Sequence, residues 1–265
     1  MAAGGAILLI LLIWFLHFGH GTVKWRPPSG AGRPDPALLA EPAPSPSSAP
    51  EPASAATGDE VRNQQRRDMR AYLRDPATDV TALLGDCAIL GDYRACGFLF
   101  LDGMDESRVL ASYGESIRGV ESHMEELLAL DPKYIFLCYG LNDMREADWD
   151  TPESYAGACR SCIRALRQQL PEATVFFHAI FPCTESAVTR VEKWTEIPDY
   201  NAALEALCRE EGCVFVSADP MGNLDPYYDE DGIHFTNDFY RLWAENLLMA
   251  IYDADPEALP LGQGG

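Results

Sequence analysis

Four short segments concentrate the residue types that can do chemistry. They are Gly91-Asp92-Tyr93-Arg94-Ala95-Cys96-Gly97, Tyr113-Gly114-Glu115-Ser116, Gly140-Leu141-Asn142-Asp143 and Asp231-Gly232-Ile233-His234. Carboxylates, an imidazole, a carboxamide and a phenol are the groups that move protons and donate hydrogen bonds at a reacting atom. Each has a plainer reading beside it. Asp231 follows Asp229 and Glu230, so a solvated acidic turn accounts for it equally. Asn142 suits a turn, and Glu115 and Ser116 suit a helix start with Ser116 as N-cap. His178 ends an apolar run, where core packing is the ordinary outcome, and His123 falls on a helix surface. Cys159-Arg160-Ser161-Cys162 has C-x-x-C spacing but lies inside a helical period, and no second such pair completes a zinc site. No glycine-rich phosphate loop is present. The expectation is no metal and no cofactor.

The elements that must position these segments follow from the hydrophobic pattern. Nearly continuous apolar runs occur at Cys87–Leu90, Arg108–Tyr113, Tyr134–Tyr139, Thr174–Ile180 and Cys213–Ser217. Continuous rather than alternating runs suit strands buried on both faces. Helical periods lie between them at Ser116–Leu130, Pro152–Leu170, Pro198–Glu211 and Thr236–Asp253, and a charged helix precedes them from Gly58. Alternating strands and helices predict an α/β fold: a three-layer α/β/α sandwich around a parallel sheet. Ligands of such sheets sit beyond the carboxyl ends of the strands. Three of the four segments follow a strand and the fourth precedes the last helix, so all would meet at that edge.

With the segments so placed, the chain resembles the SGNH or GDSL hydrolases from about Leu83 to Ile251. Gly140-Leu141-Asn142-Asp143 looks like that family's G-x-N-D block, and Asp231 to His234 looks like its D-x-x-H block. The run LDPYYDEDGIHFTNDFYRLWAENL is similar to the family's closing segment over its whole length, and Gly114 occupies the place of the glycine block. The resemblance implies a flavodoxin-like sheet and ester hydrolysis, with short acyl groups on carbohydrate or cell-wall polymers as substrates. It also implies roles. His234 would be the base and Asp231 would hold its tautomer. Asn142, the Gly114 amide and the amide of residue 93 would face the oxyanion, with Asp92 beside them, each donor being worth roughly 3–4 kcal/mol in the transition state.

The first family block is G-D-S, with serine as nucleophile. Here it is similar to Gly91-Asp92-Tyr93, so Tyr93 stands in the serine's place. A phenol oxygen lies farther from the backbone than a serine oxygen, and its ring fills the space of an acyl group. Phenolate is also a good leaving group, and tyrosine nucleophiles exist in a few glycosidases. Tyr93 is therefore a plug over a disused site, an adapted functional residue, or the product of a different register. The other register uses Leu84-Gly85-Asp86-Cys87 and supplies a thiol. Three functions follow: an esterase through Asp231 and His234, a catalytically inactive relative that binds a glycan or a protein, and a thiol acyltransferase through Cys87 or Cys96.

Composition narrows the partners. The chain has 265 residues, is 47% hydrophobic and carries a net charge of −21. Residues 1–57 hold Lys24, Arg26 and Arg33 against Asp35, Glu41 and Glu51, so the whole excess lies in residues 58–265. Such a surface repels phosphate backbones, which excludes nucleic acid. The apolar run Ala6–Phe18 within residues 1–22 suits a signal anchor or a signal peptide. It is near the lower limit of the roughly 17–25 apolar residues that span a bilayer. No basic residue precedes it and no A-x-A site follows. Residues 23–57 form a Pro/Ala/Ser-rich linker, with nine of the 19 prolines between 27 and 57. The expected arrangement is a membrane-anchored, extracytoplasmic domain at 58–265, or a secreted one. Of eight cysteines, Cys208 and Cys213 flank the turn before the last strand and could pair.

Overall fold

A computed structural model of the chain describes residues 58–259. The expected apolar segment (1–22) and linker (23–57) lie outside the described residues. Five strands form one sheet: β1 (Cys87–Gly91), β2 (Val109–Ala111), β3 (Tyr134–Cys138), β4 (Thr174–His178) and β5 (Val214–Val216). They are all parallel, in the order β2-β1-β3-β4-β5. This is the flavodoxin-like order, with a topological switch point at the central strands. The helices are α1 (Gly58–Arg74), α2 (Val80–Leu83), α3 (Gly119–Ser122), α4 (Met124–Leu130), α5 (Pro152–Gln169), α6 (Glu185–Arg190), α7 (Ile197–Glu211) and α8 (Asp238–Ala254).

The continuous apolar runs are explained by burial on both faces. On one face Ala88 and Leu90 of β1, Ile135 and Leu137 of β3, and Phe177 of β4 pack with Tyr155 and Ile163 of α5 and Leu204 of α7. On the other, Ile89, Phe136 and Phe176 pack with Met69 of α1 and Phe239, Trp243 and Leu247 of α8. Each such Leu, Ile, Phe or Met side chain contributes roughly 1.5–3 kcal/mol when fully buried. Local signals set the helix ends. Thr151 caps α5 through a capping box with Ser154, whose N–H donates to Thr151 Oγ1 at 3.2 Å, and Pro152 occupies the first turn. Among the described residues no helix is long and apolar enough to cross a membrane.

Three expectations are corrected. The helix expected over Ser116–Leu130 is two short helices, α3 and α4, that meet at His123. Ser116 does not cap it; the Ile117 N–H is instead received by Asp143 Oδ1 from the next loop at 2.8 Å. The second strand contracts to Val109–Ala111, which releases Tyr113 and Gly114 into a turn. Helices α2 and α6 have no counterpart in the sequence reading, being too short to show a period.

Candidate active site

The turn that carries Asp231 and His234 is built before its chemistry is considered. An antiparallel bridge between Tyr228 and Phe235 closes its base. The Asp229 N–H donates to the His234 carbonyl at 2.9 Å, and the Gly232 N–H to the Asp229 carbonyl at 2.9 Å. Gly232 has φ +69°, and a Cβ there would lie 1.8 Å from Thr184 Oγ1, so only glycine fits this turn against the loop after β4. Within the turn the Asp231 carboxylate accepts from the N–H groups of Ile233 and His234, both at 2.9 Å, and pairs with His234 Nδ1. Burial works against the Asp231 charge, but these hydrogen bonds outweigh it and hold the carboxyl below its usual range. The His234 side chain is 39% exposed, and its other nitrogen has no partner among the described residues. A carboxylate-bound imidazole with one free nitrogen is the arrangement of a general base.

The other segments converge on this ring from the carboxyl ends of the strands. Tyr93, two residues beyond β1, lies with its ring centroid 4.5 Å from that of His234, tilted by 47°. It also stacks on Tyr113 at 5.9 Å and 23°. Tyr113 is 77% exposed and stands beside Gly114, which turns the chain with φ +72°. Asn142 donates from Nδ2 to the Glu115 carbonyl at 2.9 Å, which ties the loop after β3 to the turn after β2. Among the described residues no chain oxygen accepts from the backbone N–H of Tyr93 or Gly114. These two N–H groups and the second hydrogen of the Asn142 amide are among the donors at this edge that have no acceptor among the described residues. Burial, opposed by Arg94, pushes the Tyr93 phenol up.

Tyr93, Gly114, Asn142, Asp231 and His234 are thus brought together, and Asp92 is not. It is 1% exposed, and its Oδ1 accepts from the Arg94 N–H at 2.9 Å and lies 3.8 Å from Arg94 Nε. Its place among the ligand-facing groups is therefore corrected: it is a buried support beneath Tyr93, because the tight turn folds its carboxylate inward. Cys87 sits buried at the start of β1, the opposite end of the strand from this edge, with its thiol pushed up to about 12 by burial. The register that makes it a nucleophile does not fit. Cys96, half-buried, is pushed up to about 11 for the same reason. His178 is core: Nδ1 faces the Ala179 carbonyl at 2.7 Å, Nε2 faces Asn246 at 3.3 Å, and burial lowers it to about 4. His123 is not a surface histidine. Its Nε2 lies 3.0 Å from Glu115 Oε1 and its Nδ1 2.6 Å from Glu126 Oε2.

Sequence reading missed the supports. Glu115 carries both the carbonyl that holds Asn142 and the carboxylate that meets His123. Asp143, fully buried, holds the Ile117 N–H. Its signal was present in the Gly-Leu-Asn-Asp run, where a carboxylate inside an apolar surround needs a donor. Among the described residues no cluster of side chains could hold a metal ion.

A parallel α/β sheet with an imidazole–carboxylate pair at its carboxyl edge defines a class of hydrolase folds, and the comparisons name the family. The profile of the GDSL-like lipase/acylhydrolase family matches residues 90–242, from the end of β1 into α8 and across every segment above. The chain belongs to this family. The fold is similar to that of a GDSL-like lipase from Bacteroides thetaiotaomicron, at 18% identity and TM-score 0.52 over 72% of this chain and 99% of that one. It is also similar to a proposed acylhydrolase from Bacteroides fragilis, at 16% identity and TM-score 0.53 over 75% of this chain and 99% of that one. No curated protein matches the chain.

Proposed function

We propose that the domain hydrolyses an ester of a short acyl group, carried on a carbohydrate, with His234 as general base and the Tyr93 hydroxyl as attacking group. The observation that carries this reading is the Asp231–His234 pair, fixed by three hydrogen bonds to one carboxylate with the far side of the ring open. His234 would take the phenol proton as the Tyr93 oxygen attacks the acyl carbon. Burial makes a free phenolate costly, so the proton must leave as the bond forms. The Tyr93 and Gly114 N–H groups and Asn142 would receive the oxyanion. The leaving alkoxide takes the proton back from His234. Water, deprotonated by His234, then splits the acyl-tyrosine and restores the phenol. The carbohydrate preference is supported by an open hollow of about 280 Å³ beside the turn, which Thr184, Asp219, Asn223, Asp225 and Tyr228 help to line. Its acceptors suit a hydroxyl-rich, uncharged ligand.

A second reading has its own observation. The Tyr93 ring lies on the His234 ring rather than offering it a hydrogen bond. On this reading the site is disused and the domain binds a glycan or a protein, held at the outer face of a membrane by residues 1–57 or secreted. Turnover of short-chain aryl esters by the full chain separates the two. The first predicts activity that H234A abolishes and D231N lowers by about 10²–10⁴-fold. The second predicts an inert natural chain that Y93S makes active. An inert natural chain would overturn the esterase reading, whether or not Y93S is active.

A further inference from the structure

All eight cysteines are free thiols, and their surroundings divide them. Burial pushes Cys87, Cys138, Cys159 and Cys162 up, and Cys96 and Cys183 with them. The remaining two form a pair across one turn. Helix α7 ends at Glu211, Gly212 adopts φ +68°, and the Cys213 N–H returns to the Cys208 carbonyl at 3.0 Å. Cys208 is buried on α7, and Cys213, across the turn, is half-buried. Arg167 donates to the Glu211 carbonyl, so its guanidinium also lies at this turn. The neighbouring thiol and the guanidinium both favour a Cys213 thiolate and bring it below the ordinary thiol range, against the opposing effect of burial.

We propose that Cys208 and Cys213 form a thiol–disulfide exchange site, with Cys213 as the attacking sulfur, Cys208 as the resolving sulfur and a low-molecular-weight disulfide as co-reactant. The Cys213 thiolate attacks one sulfur of the small disulfide, whose S–S bond breaks and releases one thiolate. Cys208 then gives up its proton and attacks the Cys213 sulfur, expelling the second small thiolate. The protein's two thiols are oxidised to one disulfide, and the small disulfide is reduced to two thiols. The backbone bond across the turn holds the two residues close to each other, and a disulfide needs Cα atoms roughly 4.4–6.8 Å apart. So short a loop gains little stability from being closed. The bond therefore acts as a reversible modification joining the end of α7 to the edge strand β5, and not as a structural staple. Nothing in this site touches the Asp231–His234 turn, so its test is independent of the ester-hydrolysis reading.

The experiment uses the reduced full chain at neutral pH. Limited iodoacetamide is expected to label Cys213 about tenfold faster than any other cysteine. Oxidised glutathione is expected to remove two hydrogens in mass, with the new bond mapped by peptide analysis to Cys208–Cys213. C208S should stop at a glutathione adduct on Cys213, and C213S should take up none at this turn. The order of labelling in the natural chain stands even if C208S folds poorly. Faster labelling at another cysteine, or a glutathione adduct on Cys213 that Cys208 never resolves in the natural chain, would overturn the proposal.

Discussion

Asp143 shows how one residue couples the site to stability. Its Oδ1 receives the Ile117 N–H while its Oδ2 has no partner, and burial pushes the carboxyl up from 3.8 to about 7. With the folded value above the unfolded one, the folded chain holds a proton that the unfolded chain has already lost between about pH 4 and pH 7. The contribution of this group is therefore full below about pH 4 and is lost as pH rises to about 7. D143N keeps an oxygen for Ile117 and carries no charge. Relative to the natural chain it should gain about 1–3 kcal/mol between about pH 4 and pH 7.5, read from urea unfolding at both ends. An unchanged difference across that range would mean that the carboxyl titrates normally. At this scale the sequence was readable where a single residue type speaks for itself: Asn142, Asp231 and His234 lie where their blocks placed them. It was unreadable for Asp92 and Asp143, whose roles depend on which way a short carboxylate is folded.

Among the elements, continuous apolar runs bounded by breaks located every strand of the sheet, because burial on both faces leaves no polar alternation to blur the signal. The helix over Ser116–Leu130 failed because its break is made by tertiary partners. Glu115, ahead of α3, and Glu126, inside α4, grip the two nitrogens of His123 at the junction, and Tyr139 of the loop after β3 reaches Glu115 at 3.5 Å. No local pattern announces a histidine held from both sides. This cluster fixes Glu115, and through its carbonyl it fixes Asn142. H123A takes the imidazole away from the partly buried Glu115 carboxylate and the exposed Glu126 carboxylate and should cost about 1–3 kcal/mol in urea unfolding, nearly all of it at Glu115. It should also speed hydrogen exchange in the 113–123 turn, while exchange in β5 stays unchanged. Unchanged exchange in that turn would show that the cluster does not position it. The Asp231–His234 turn was easier to read, since its partners lie within seven residues of one another.

Over the whole molecule, charge is the property that no single element carries. The net −21 is spread over the domain beyond residue 57, and ion pairs relieve little of it. Arg118–Asp148 and Arg209–Glu205 are exposed, and such pairs are worth about 0–1 kcal/mol each. Two like charges about 10 Å apart in water repel by about 0.4 kcal/mol. Many such pairs act at once here, and unfolding separates them. Salt weakens both kinds of interaction, with the Debye length falling from about 30 Å at 0.01 M to about 8 Å at 0.15 M. The repulsions are more numerous and longer in range than the pairs, so screening should stabilise this chain. Raising sodium chloride from about 0.01 M to 0.15 M should raise Tm, each kcal/mol gained being about 2–4 °C for a domain of this size. A Tm that falls with salt would mean that the Arg160 and Arg164 pairs with Glu210 and Glu211, which tie α5 to α7, outweigh the repulsion. Substituting Glu210 would then lower Tm at low salt and remove part of that slope.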